Sequence, residues 1–307
     1  MKLMLCSDWH LRYKAPSSRT DDIFETQCSK VSFVLETAKE MGCSAIIQAG
    51  DLLDNPKPPN ILLALYIRLF RYYGVGFPGI PFYCVLGQHD LSMHNLGSLV
   101  RSGVDVLQAA EVLKVLSVDP VQIGDVWLYG ASWEQEIPKA SSGTRNVLVL
   151  HKMIGDQPLY PGHDPIRPKS FLHTYKGYEL ILCGDYHYPF VSEEKGRTIV
   201  NTGCLTRQTC SDRDLQLHPA CCVYDTVDRS VTRIEIPHEP SDKIFVMPEK
   251  GPDKPNNKDT IQMFVDRLRG QLGITVSFRD NLNRFFTEHS TRSEVREEIE
   301  LAVEEAS

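Results

Sequence analysis

The spacing of apolar residues changes between two periods along the first third of the chain. Residues 22–41 place Ile23, Leu35 and other apolar side chains at intervals near 3.6, which predicts an amphipathic helix. A second helix is expected at residues 60–73, and short continuous apolar runs around both segments predict buried strands. The predicted order is therefore strand, helix, strand, helix, strand, with the strands at residues 2–6, 45–49 and 82–86.

Short β-rich runs dominate the second half of the chain up to about residue 236. Combined with the first half, they predict an α/β protein in which two packed sheets lie between outer helices. We therefore expect a four-layer α/β/β/α sandwich that occupies residues 1–240. The predicted strands of this half are residues 126–129, 146–150, 179–183, 198–201, 220–224 and 231–236.

The composition changes near residue 240, where prolines, lysines and aspartates become frequent. Such a stretch is typical of a linker, which we place at residues 241–258. Beyond it, residues 259–272 carry apolar side chains on one helical face, and Thr291 and Glu294 resemble a capping box at the start of a last helix. We expect a small C-terminal helical region at residues 259–307, either packed on its own domain or used to bind a partner.

The overall composition is that of an ordinary folded protein. With 307 residues the chain can form one large domain and a small appendage. Its hydrophobic fraction is 42%, and no apolar run approaches the ~18 residues that a membrane helix needs, so no membrane association is expected. Nine cysteines without a Cys-x-x-Cys pair, and an N-terminal apolar run too short for a signal peptide, favour a reducing cytoplasm. The net charge of −7 neither requires nor excludes nucleic acid as a partner.

Carboxylates and histidines follow several of the predicted strands, at the point where each strand ends. Ligands of α/β proteins gather outside the carboxyl ends of the strands, so these side chains should converge in space. A lone Asp-x-His or Gly-Asp pair is common in loops, and only the ordered set points to a site. The segments are Ser7-Asp8-Trp9-His10, Gly50-Asp51-Leu52-Leu53-Asp54, Gly87-Gln88-His89-Asp90, the single His151, and Gly184-Asp185-Tyr186-His187.

These residue types predict a pair of divalent metal ions. Residues i and i+2 of an extended chain project to the same side, so Asp8 and His10 can reach one ion. The carboxylate of Asp51 can bridge to a second ion about 3.5 to 4 Å away, the usual separation in two-metal hydrolases. Mixed histidine and carboxylate ligation favours manganese, iron or zinc over calcium. A metal-dependent phosphoesterase is the function that this pattern indicates.

The ordered motifs resemble the signature of the calcineurin-like metallophosphoesterase superfamily, which runs Asp-x-His, Gly-Asp-x-x-Asp, Gly-Asn-His-Asp/Glu, a lone His, and Gly-His-x-His. Within it, the chain is most similar to the SbcD-type recombination nucleases, including their phage versions. Residues 50–54 lack the following Arg-Gly of the protein Ser/Thr phosphatases, and residues 202–207 resemble the Pro-Gly-Ser-x-x-Arg segment of those nucleases. The resemblance extends from Asp8 to about Arg207 and implies the same four-layer sandwich.

The resemblance implies a role for each motif residue. His89 would stabilise the pentavalent phosphorus or protonate the leaving oxygen, and Asp90 would orient His89 by a hydrogen bond. The first metal would be held by Asp8, His10, Asp51 and His187, and the second by Asp51 as the bridge, Gln88, His151 and Asp185. Candidates for contacts with a phosphate backbone are Arg12, Lys14 and Arg207, with solvated loop charges as the alternative.

Two positions depart from the family pattern. Gln88 stands where the family usually has Asn, so its amide oxygen lies one methylene further from the backbone. Asp185 stands where the family usually has His, which adds a negative charge to the site. These changes predict a harder second site that prefers manganese or magnesium to zinc.

The resulting hypothesis is a two-metal-dependent DNA nuclease of the SbcD type, acting as exonuclease, endonuclease or both in DNA recombination, repair or replication-linked processing. The expected cofactors are two Mn²⁺ ions, with Mg²⁺ as the alternative, and the expected partners are DNA and an SbcC-type coiled-coil ATPase. A homodimer is left open, and the expected location is the cytoplasm of a bacterium or a phage-infected host cell. Two alternatives are a phosphodiesterase or phosphatase for small substrates, and a catalytically weak metal-binding scaffold subunit.

Overall fold

Two compact units make up the chain, Met1–Met247 and Pro248–Ser307. The computed structural model describes residues 1–160 and 162–246, together with Phe286 and Arg296. The helix predicted at residues 259–272 lies outside the described residues, and only Arg296 is described from the helix predicted after Thr291. The fold can therefore be followed element by element through the first unit.

The first unit contains strands and helices in alternation, followed by a β-rich half. The strands are β1 (Lys2–Cys6), β2 (Cys43–Gln48), β3 (Phe82–Cys84), β4 (Lys114–Val115), β5 (Val121–Ile123), β6 (Val126–Ala131), β7 (Arg145–His151), β8 (Leu180–Gly184), β9 (Phe190–Glu194), β10 (Arg197–Asn201), β11 (Ala220–Asp225) and β12 (Val231–Glu235). The helices are α1 (Ile23–Glu40), α2 (Asn60–Tyr72), α3 (Gly103–Ala109), α4 (Pro168–Thr174), α5 (Asp212–Leu215) and α6 (Ser241–Ile244), with 3₁₀ helices at Gln88–Asp90, Ser92–His94 and Leu96–Arg101.

The strands form two six-stranded mixed sheets. The first has the order β12-β11-β1-β2-β3-β4, in which β1 to β4 are parallel, β11 is antiparallel to β1, and β12 is antiparallel to β11. The second has the order β5-β6-β7-β8-β10-β9, with parallel strands in the centre and antiparallel strands at both edges. Parallel strands bring their carboxyl ends to one edge of a sheet, which is where the site residues lie.

Three apolar cores separate the layers. On β1, Met4 packs with α1, α2 and α3 on the outer face of the first sheet, while Leu3 and Leu5 pack against the second sheet. Phe171 and Leu172 of α4 cover the outer face of the second sheet. Strands buried on both faces appear in the sequence as continuous apolar runs, and this is why the central strands could be predicted. The predicted four-layer α/β/β/α sandwich is confirmed.

Three short strands were not predicted from the sequence: β4, β5 and β9. Each lies at an edge of its sheet, and β4 and β5 have only two and three residues. In β9 the side chains alternate between buried or half-buried and exposed positions, and Glu193 and Glu194 hide this alternation from a hydrophobicity reading. Edge strands such as these bury few side chains, so they give little periodic signal in the hydrophobicity of the sequence.

The segment after β12 differs from the predicted linker at its start. Ile244 and Phe245 are buried, Val246 N–H donates to Ser18 O at 2.9 Å, and the Arg19 guanidinium lies 5.1 Å from the Phe245 ring centroid. Residues 241–246 therefore belong to the first unit, since these two apolar residues attach them to it despite the surrounding prolines. The rest of the predicted linker lies outside the described residues.

None of the helices that the structure describes has both the length and the hydropathy needed to cross a bilayer.

Candidate metal centre

The predicted motifs meet where parallel strands of both sheets end. Hydrogen bonds join the two sheets at this edge. Asp185 N–H donates to Asp8 Oδ1 at 2.9 Å, and His151 Nδ1 lies 2.7 Å from the carbonyl oxygen of Ala49. The motif residues follow β1 (Asp8, His10), β2 (Asp51), β3 (Gln88, His89, Asp90) and β8 (Asp185, His187), and His151 is the last residue of β7.

Four of these residues have a left-handed backbone conformation, which is uncommon outside glycine: Asp8 (φ 48°), His10 (φ 44°), Asp51 (φ 50°) and Asp185 (φ 77°). Such a conformation costs on the order of 1 to 3 kcal/mol and persists only where the surroundings enforce it. Here His10 N–H donates to Asp51 O at 2.9 Å and Asp8 N–H donates to Gly50 O at 3.2 Å. Backbone strain concentrated on one set of polar residues is typical of a functional site.

The three glycines before the motifs leave no room for a side chain. A Cβ atom on Gly87 would lie 2.0 Å from Asp51 Oδ1, one on Gly184 would lie 2.2 Å from Ala49 O, and one on Gly50 would lie 2.3 Å from His151 Nδ1. Any larger residue would displace the neighbouring motif. Gly50 also has a φ of 91°, which L-residues rarely adopt.

Buried amide side chains hold these loops in place, and sequence reasoning missed them. Gln48 binds the turn at Gly50 on both sides, since its Nε2 donates to Gly50 O at 2.6 Å and its Oε1 accepts from Gly50 N–H at 2.9 Å. Gln27 Nε2 donates to His10 O at 2.9 Å, and Asn201 Nδ2 donates to Tyr186 O at 2.7 Å. Gln48 could have been identified from the sequence, because it is a polar residue at the end of an apolar strand.

Asp8, His10, Asp51 and His187 form the first group of converging donors. The Nε2 atoms of His10 and His187 are 3.2 Å apart, His10 Nε2 is 3.7 Å from Asp51 Oδ2, and His187 Nε2 is 4.0 Å from Asp8 Oδ1. Asp8, His10 and His187 each offer a ligand atom within 4.8 Å of the others. About a third of the His187 side chain remains exposed, so this group is open to solvent on one side.

Asp8, Asp51 and His151 form a second group, also with ligand atoms within 4.8 Å of one another. His151 Nε2 is 3.4 Å from Asp51 Oδ2, the oxygen that also faces His10. Because a carbonyl oxygen only accepts, His151 Nδ1 must carry the proton that is shared with Ala49 O. Its Nε2 is then the nitrogen available to a metal, the arrangement usual for metal-ligating histidines.

Gln88 and Asp185 lie together beside the second group. Gln88 Nε2 donates to Asp185 Oδ1 at 3.0 Å. The bond fixes the amide so that Gln88 Oε1 is buried without a hydrogen-bond partner. The two residues that depart from the family motif are therefore in direct contact.

The donor set fits a pair of divalent cations. Asp8 and Asp51 each use one carboxylate oxygen for a backbone N–H, since Asp8 Oδ1 accepts from Asp185 and Asp51 Oδ1 accepts from His89. An unpaired buried polar atom costs about 1 to 3 kcal/mol, and a cation coordinated by such atoms removes that cost. The buried atoms without a hydrogen-bond partner at this edge are Asp8 Oδ2, His10 Nδ1, Asp51 Oδ2, Gln88 Oε1 and His151 Nε2.

The pKa values at this edge reflect buried charges in close contact. Burial, together with the neighbouring Asp51, raises the pKa of Asp8. Burial lowers the pKa of His10 well below its ordinary value, so its ring is neutral and able to bind a metal. Burial opposes the charged forms of Asp51 and His151, but their mutual attraction outweighs it, lowering the pKa of Asp51 and raising that of His151 to about 10. A cation bound to Asp51 would displace the second proton of His151.

The structure corrects the expected role of Asp90. Its carboxylate is fully buried and accepts from the backbone N–H groups of Gly87, Leu52 and Leu53 at 2.9, 3.3 and 2.9 Å. Asp90 thus ties the turn after β3 to the loop after β2, because the short 3₁₀ helix directs its carboxylate back toward its own start. Burial and the nearby Asp51 raise the pKa of Asp90 to about 7.

His89 is instead oriented by a backbone carbonyl. Its Nδ1 lies 3.0 Å from Asp54 O, and its ring is exposed, 4.8 Å from the ring of His10 between centroids. Since the carbonyl accepts, Nδ1 carries the proton and Nε2 is the free nitrogen. His89 is therefore placed at the open side of the centre.

Asp54 lies beside the first group of donors, although no role was predicted for it. It forms a third group of converging donors with His10 and His89, and His10 Nδ1 is 3.9 Å from Asp54 Oδ1. Arg12 fixes this carboxylate, since its Nη2 contacts Asp54 Oδ1 at 2.5 Å and Gln208 Oε1 at 2.7 Å. The signal for Asp54 was its place as the second aspartate of Gly-Asp-x-x-Asp.

The other two predicted substrate contacts are placed differently. Lys14 is exposed in the loop after His10. Arg207 is buried, and its Nε and Nη1 donate to Leu217 O and Glu239 O at 2.8 Å each. These bonds give Arg207 a structural role, and the geometry does not support its predicted contact with phosphate.

Comparisons with known proteins agree with this geometry. A family model described as calcineurin-like phosphoesterase matches residues 1–189. The chain is 23% identical over 229 residues to the DNA double-strand break repair protein Mre11 of Methanosarcina mazei, covering 70% of this chain and 35% of that protein. It is 26% identical over 229 residues to the protein of the same name from Haloferax volcanii, covering 67% and 46%. The chain thus spans about a third to a half of the length of these relatives.

Among solved structures, a dimetal phosphatase from Danio rerio aligns with 76% of this chain and 95% of its own, at 10% identity and a TM-score of 0.48. The family model covers more than half of the chain and includes all the motif segments that converge at the strand ends. The chain belongs to the calcineurin-like phosphoesterase family.

Proposed function

We propose that this chain is a two-metal-dependent DNA nuclease of the SbcD type, which hydrolyses phosphodiester bonds. The observation that carries the proposal is the set of buried donor atoms without hydrogen-bond partners at the strand ends, with Asp51 Oδ2 facing both His10 and His151. Family membership supports phosphoester hydrolysis as the reaction class.

The residues divide between holding metal and handling substrate. Asp8, His10, Asp51 and His187 would hold one ion, and Asp51, Gln88, His151 and Asp185 the other. A bound metal pair supplies Lewis-acid stabilisation of the charge that develops on the phosphoryl oxygens. Mn²⁺ is our choice for both positions, with Mg²⁺ as the alternative, because the extra carboxylate of Asp185 makes the second position harder.

His89 is the proposed general acid. Its ring is exposed at the open side of the centre, and its Nδ1 proton is fixed on Asp54 O, so Nε2 can carry a second proton toward the leaving oxygen. Arg12, held near Asp54, is the proposed contact for a neighbouring phosphate, and Lys14 is a more exposed second contact. Asp90 acts through the backbone of the two metal-binding loops.

DNA is the proposed substrate because the relatives from Methanosarcina mazei and Haloferax volcanii carry the name of DNA double-strand break repair proteins. An SbcC-type coiled-coil ATPase is the proposed partner, because the motif segments resemble those of the SbcD-type nucleases. Location in the cytoplasm and assembly into a homodimer stay predictions, as does the domain limit near residue 258.

The test is cleavage of end-labelled duplex and single-stranded DNA in Mn²⁺, beside a p-nitrophenyl phosphodiester as a small substrate. Asp51→Asn should reduce DNA cleavage by at least 10³-fold, because it weakens the bridge between both ions. Asp119→Asn, an exposed carboxylate between β4 and β5, serves as the matched control and should retain activity.

Turnover of the small diester alone would replace the DNA nuclease by a small-substrate phosphodiesterase. No metal-dependent turnover of any substrate, with DNA still bound, would replace it by a scaffold subunit. Both results would overturn the proposal.

A further inference from the structure

A cavity of about 540 Å³ lies beside the first two turns of α1, between that helix and the segments before β11 and after β12. Sites for small ligands usually enclose about 300 to 1,000 Å³, so the cavity is large enough for one. None of the candidate metal ligands, all of which the structure describes, lines it. Its charged lining includes Arg19, Asp22, Glu25, Lys30 and Arg207.

The buried wall of the cavity has an excess of positive charge, since Arg19, Lys30 and Arg207 are all buried there. Arg19 contacts Asp21 at 2.7 Å, which compensates its charge, and its Nη1 donates to Arg207 O at 2.8 Å. Arg207 donates to two backbone carbonyls, and Lys30 Nζ donates to Pro237 O at 3.3 Å. Carbonyl oxygens carry no net charge, so these contacts leave two positive charges uncompensated.

The basic groups at this wall repel one another. Burial, followed by the charges of Arg207 and Arg19, lowers the pKa of Lys30 to about 7. Burial and the charge of Arg19 also lower the pKa of Arg207. Like charges interact more strongly in a buried site than in water, so an anion in the cavity would relieve this repulsion and keep Lys30 protonated.

The buried wall and the exposed side of the cavity differ in charge. The Lys30 ammonium offers three N–H donors, and the bond to Pro237 O uses one of them. Asp22 and Glu25 line the exposed side. Asp22 Oδ1 caps α1 by accepting from the N–H groups of Phe24 and Glu25, which leaves Oδ2 for a hydroxyl group. The cavity thus suits a ligand that is anionic at one end and carries hydroxyl groups at the other.

We propose that this cavity binds a small phosphomonoester, with its phosphate against Lys30 and its hydroxyl-bearing part toward Asp22 and Glu25. A phosphomonoester carries roughly −1.5 to −2 charges at pH 7, which matches two uncompensated positive charges better than a carboxylate does. Arg19 and Arg207 keep their hydrogen bonds and contribute charge only. The site is separate from the strand-end centre, which is the candidate metal centre, and it does not depend on the proposed nuclease reaction.

The test is calorimetric titration of the full chain with ribose 5-phosphate and with inorganic phosphate, in the absence of divalent cations. Lys30→Met should weaken ribose 5-phosphate binding about tenfold or more, because it removes the charge and the donors. Lys39→Met, which removes an exposed lysine of the same helix, is the matched control and should change nothing. Glu25→Gln should tighten inorganic phosphate binding, because it removes a negative charge from the exposed side. Circular dichroism melting verifies that each variant is folded.

Asp51→Asn separates the cavity from the strand-end centre, and it should bind ribose 5-phosphate as the unchanged protein does. Loss of binding in Asp51→Asn would overturn the proposal, since the ligand would then lie at the strand ends. Equal affinity of Lys30→Met and the unchanged protein for ribose 5-phosphate would overturn it as well. Inorganic phosphate that binds as tightly as ribose 5-phosphate would overturn the assignment to a phosphomonoester.

Discussion

At the scale of single residues, Gln88 and Asp185 change the side-chain length at their positions of the family motif in opposite directions. Glutamine is one methylene longer than the usual asparagine, and aspartate is shorter than the usual histidine. The longer glutamine reaches the shorter aspartate, since Gln88 Nε2 donates to Asp185 Oδ1 at 3.0 Å. The two residues are therefore held as a pair, and on the proposed metal assignment they would present Gln88 Oε1 and a carboxylate oxygen to the second ion.

The pair predicts non-additive effects on metal affinity. Gln88→Asn and Asp185→His should each weaken Mn²⁺ binding about tenfold, or about 1.4 kcal/mol, because each breaks the bond and leaves its partner unsupported. The double variant should lose less than the sum and should shift toward zinc, as the harder ligand is replaced by imidazole.

Titration calorimetry of the four proteins with Mn²⁺ and Zn²⁺ measures this cycle. Gln122→Asn, an exposed glutamine on β5, is the control for the shortened side chain. Strict additivity of the two single effects would contradict the pairing.

His89 and Asp90 are neighbours for which the structure predicts different phenotypes. His89→Gln should lower kcat by about 10² to 10⁴-fold, the usual effect of removing a general acid, with metal affinity and thermal stability unchanged. Asp90→Asn should chiefly lower thermal stability, because its carboxylate accepts from three backbone N–H groups. Steady-state kinetics and melting curves of both variants check this; a stable but inactive Asp90→Asn would restore Asp90 as the residue that orients His89.

The sequence located the motif residues but not their hydrogen-bond partners. Asp8, Asp51 and Asp185 were found because they end apolar strands, a property that can be read along the chain. Whether Asp90 binds His89 or the loop at Leu53 depends on the direction of its carboxylate in a single 3₁₀ turn. The direction of a side chain cannot be read from residue types. The same holds for Arg207, whose guanidinium donates to Leu217 O and Glu239 O.

At the scale of elements, the turn after β3 is the connection on which the centre depends most. Gly87 carries no side chain because Asp51 Oδ1 occupies the position of its Cβ, 2.0 Å away. Gly87→Ala should push the β2 and β3 loops apart, lowering the free energy of unfolding by about 2 kcal/mol and weakening Mn²⁺ binding.

Urea unfolding and calorimetry measure both effects for Gly87→Ala. Gly97→Ala, in the 3₁₀ helix Leu96–Arg101, is the control, since its Cβ would meet only Asn95 Oδ1 at 3.2 Å. Equal losses in the two variants would show that the crowding at Gly87 does not matter.

Elements buried on both faces could be predicted, and elements at the edges could not. The runs that became β1, β2, β7 and β8 are apolar along their central residues, because each packs between two layers. β4 and β9 join their sheets through backbone hydrogen bonds with few buried side chains, and the sequence does not record backbone pairing.

At the scale of the whole molecule, Lys30 makes stability depend on pH. It lies buried on α1 with its Nζ 3.3 Å from Pro237 O, and burial, with Arg207 and Arg19 nearby, lowers its pKa to about 7. In the unfolded chain the amine keeps its proton up to about pH 10.4. Below pH 7 both states are charged and the full burial cost acts against folding; between pH 7 and 10 this cost shrinks as pH rises.

Lys30→Met should therefore stabilise the protein by a few kcal/mol, on the order of 2 to 4, at pH 7, and by less at pH 9. Urea unfolding at the two pH values measures the difference. Lys39→Met, an exposed lysine on the same helix, is the control and should change stability little at either pH. A gain for Lys30→Met that does not vary with pH would contradict the lowered pKa.

The strand-end centre takes its donors from both halves of the polypeptide. Asp8, His10, Asp51 and Gln88 come from the first sheet, while His151, Asp185 and His187 come from the second, and Asp185 N–H binds Asp8 directly. Neither half alone presents enough ligands for two cations. If the chain acts as proposed, a copy whose sheets had docked out of register would be unable to cut a phosphodiester, so hydrolytic activity would also report on correct maturation.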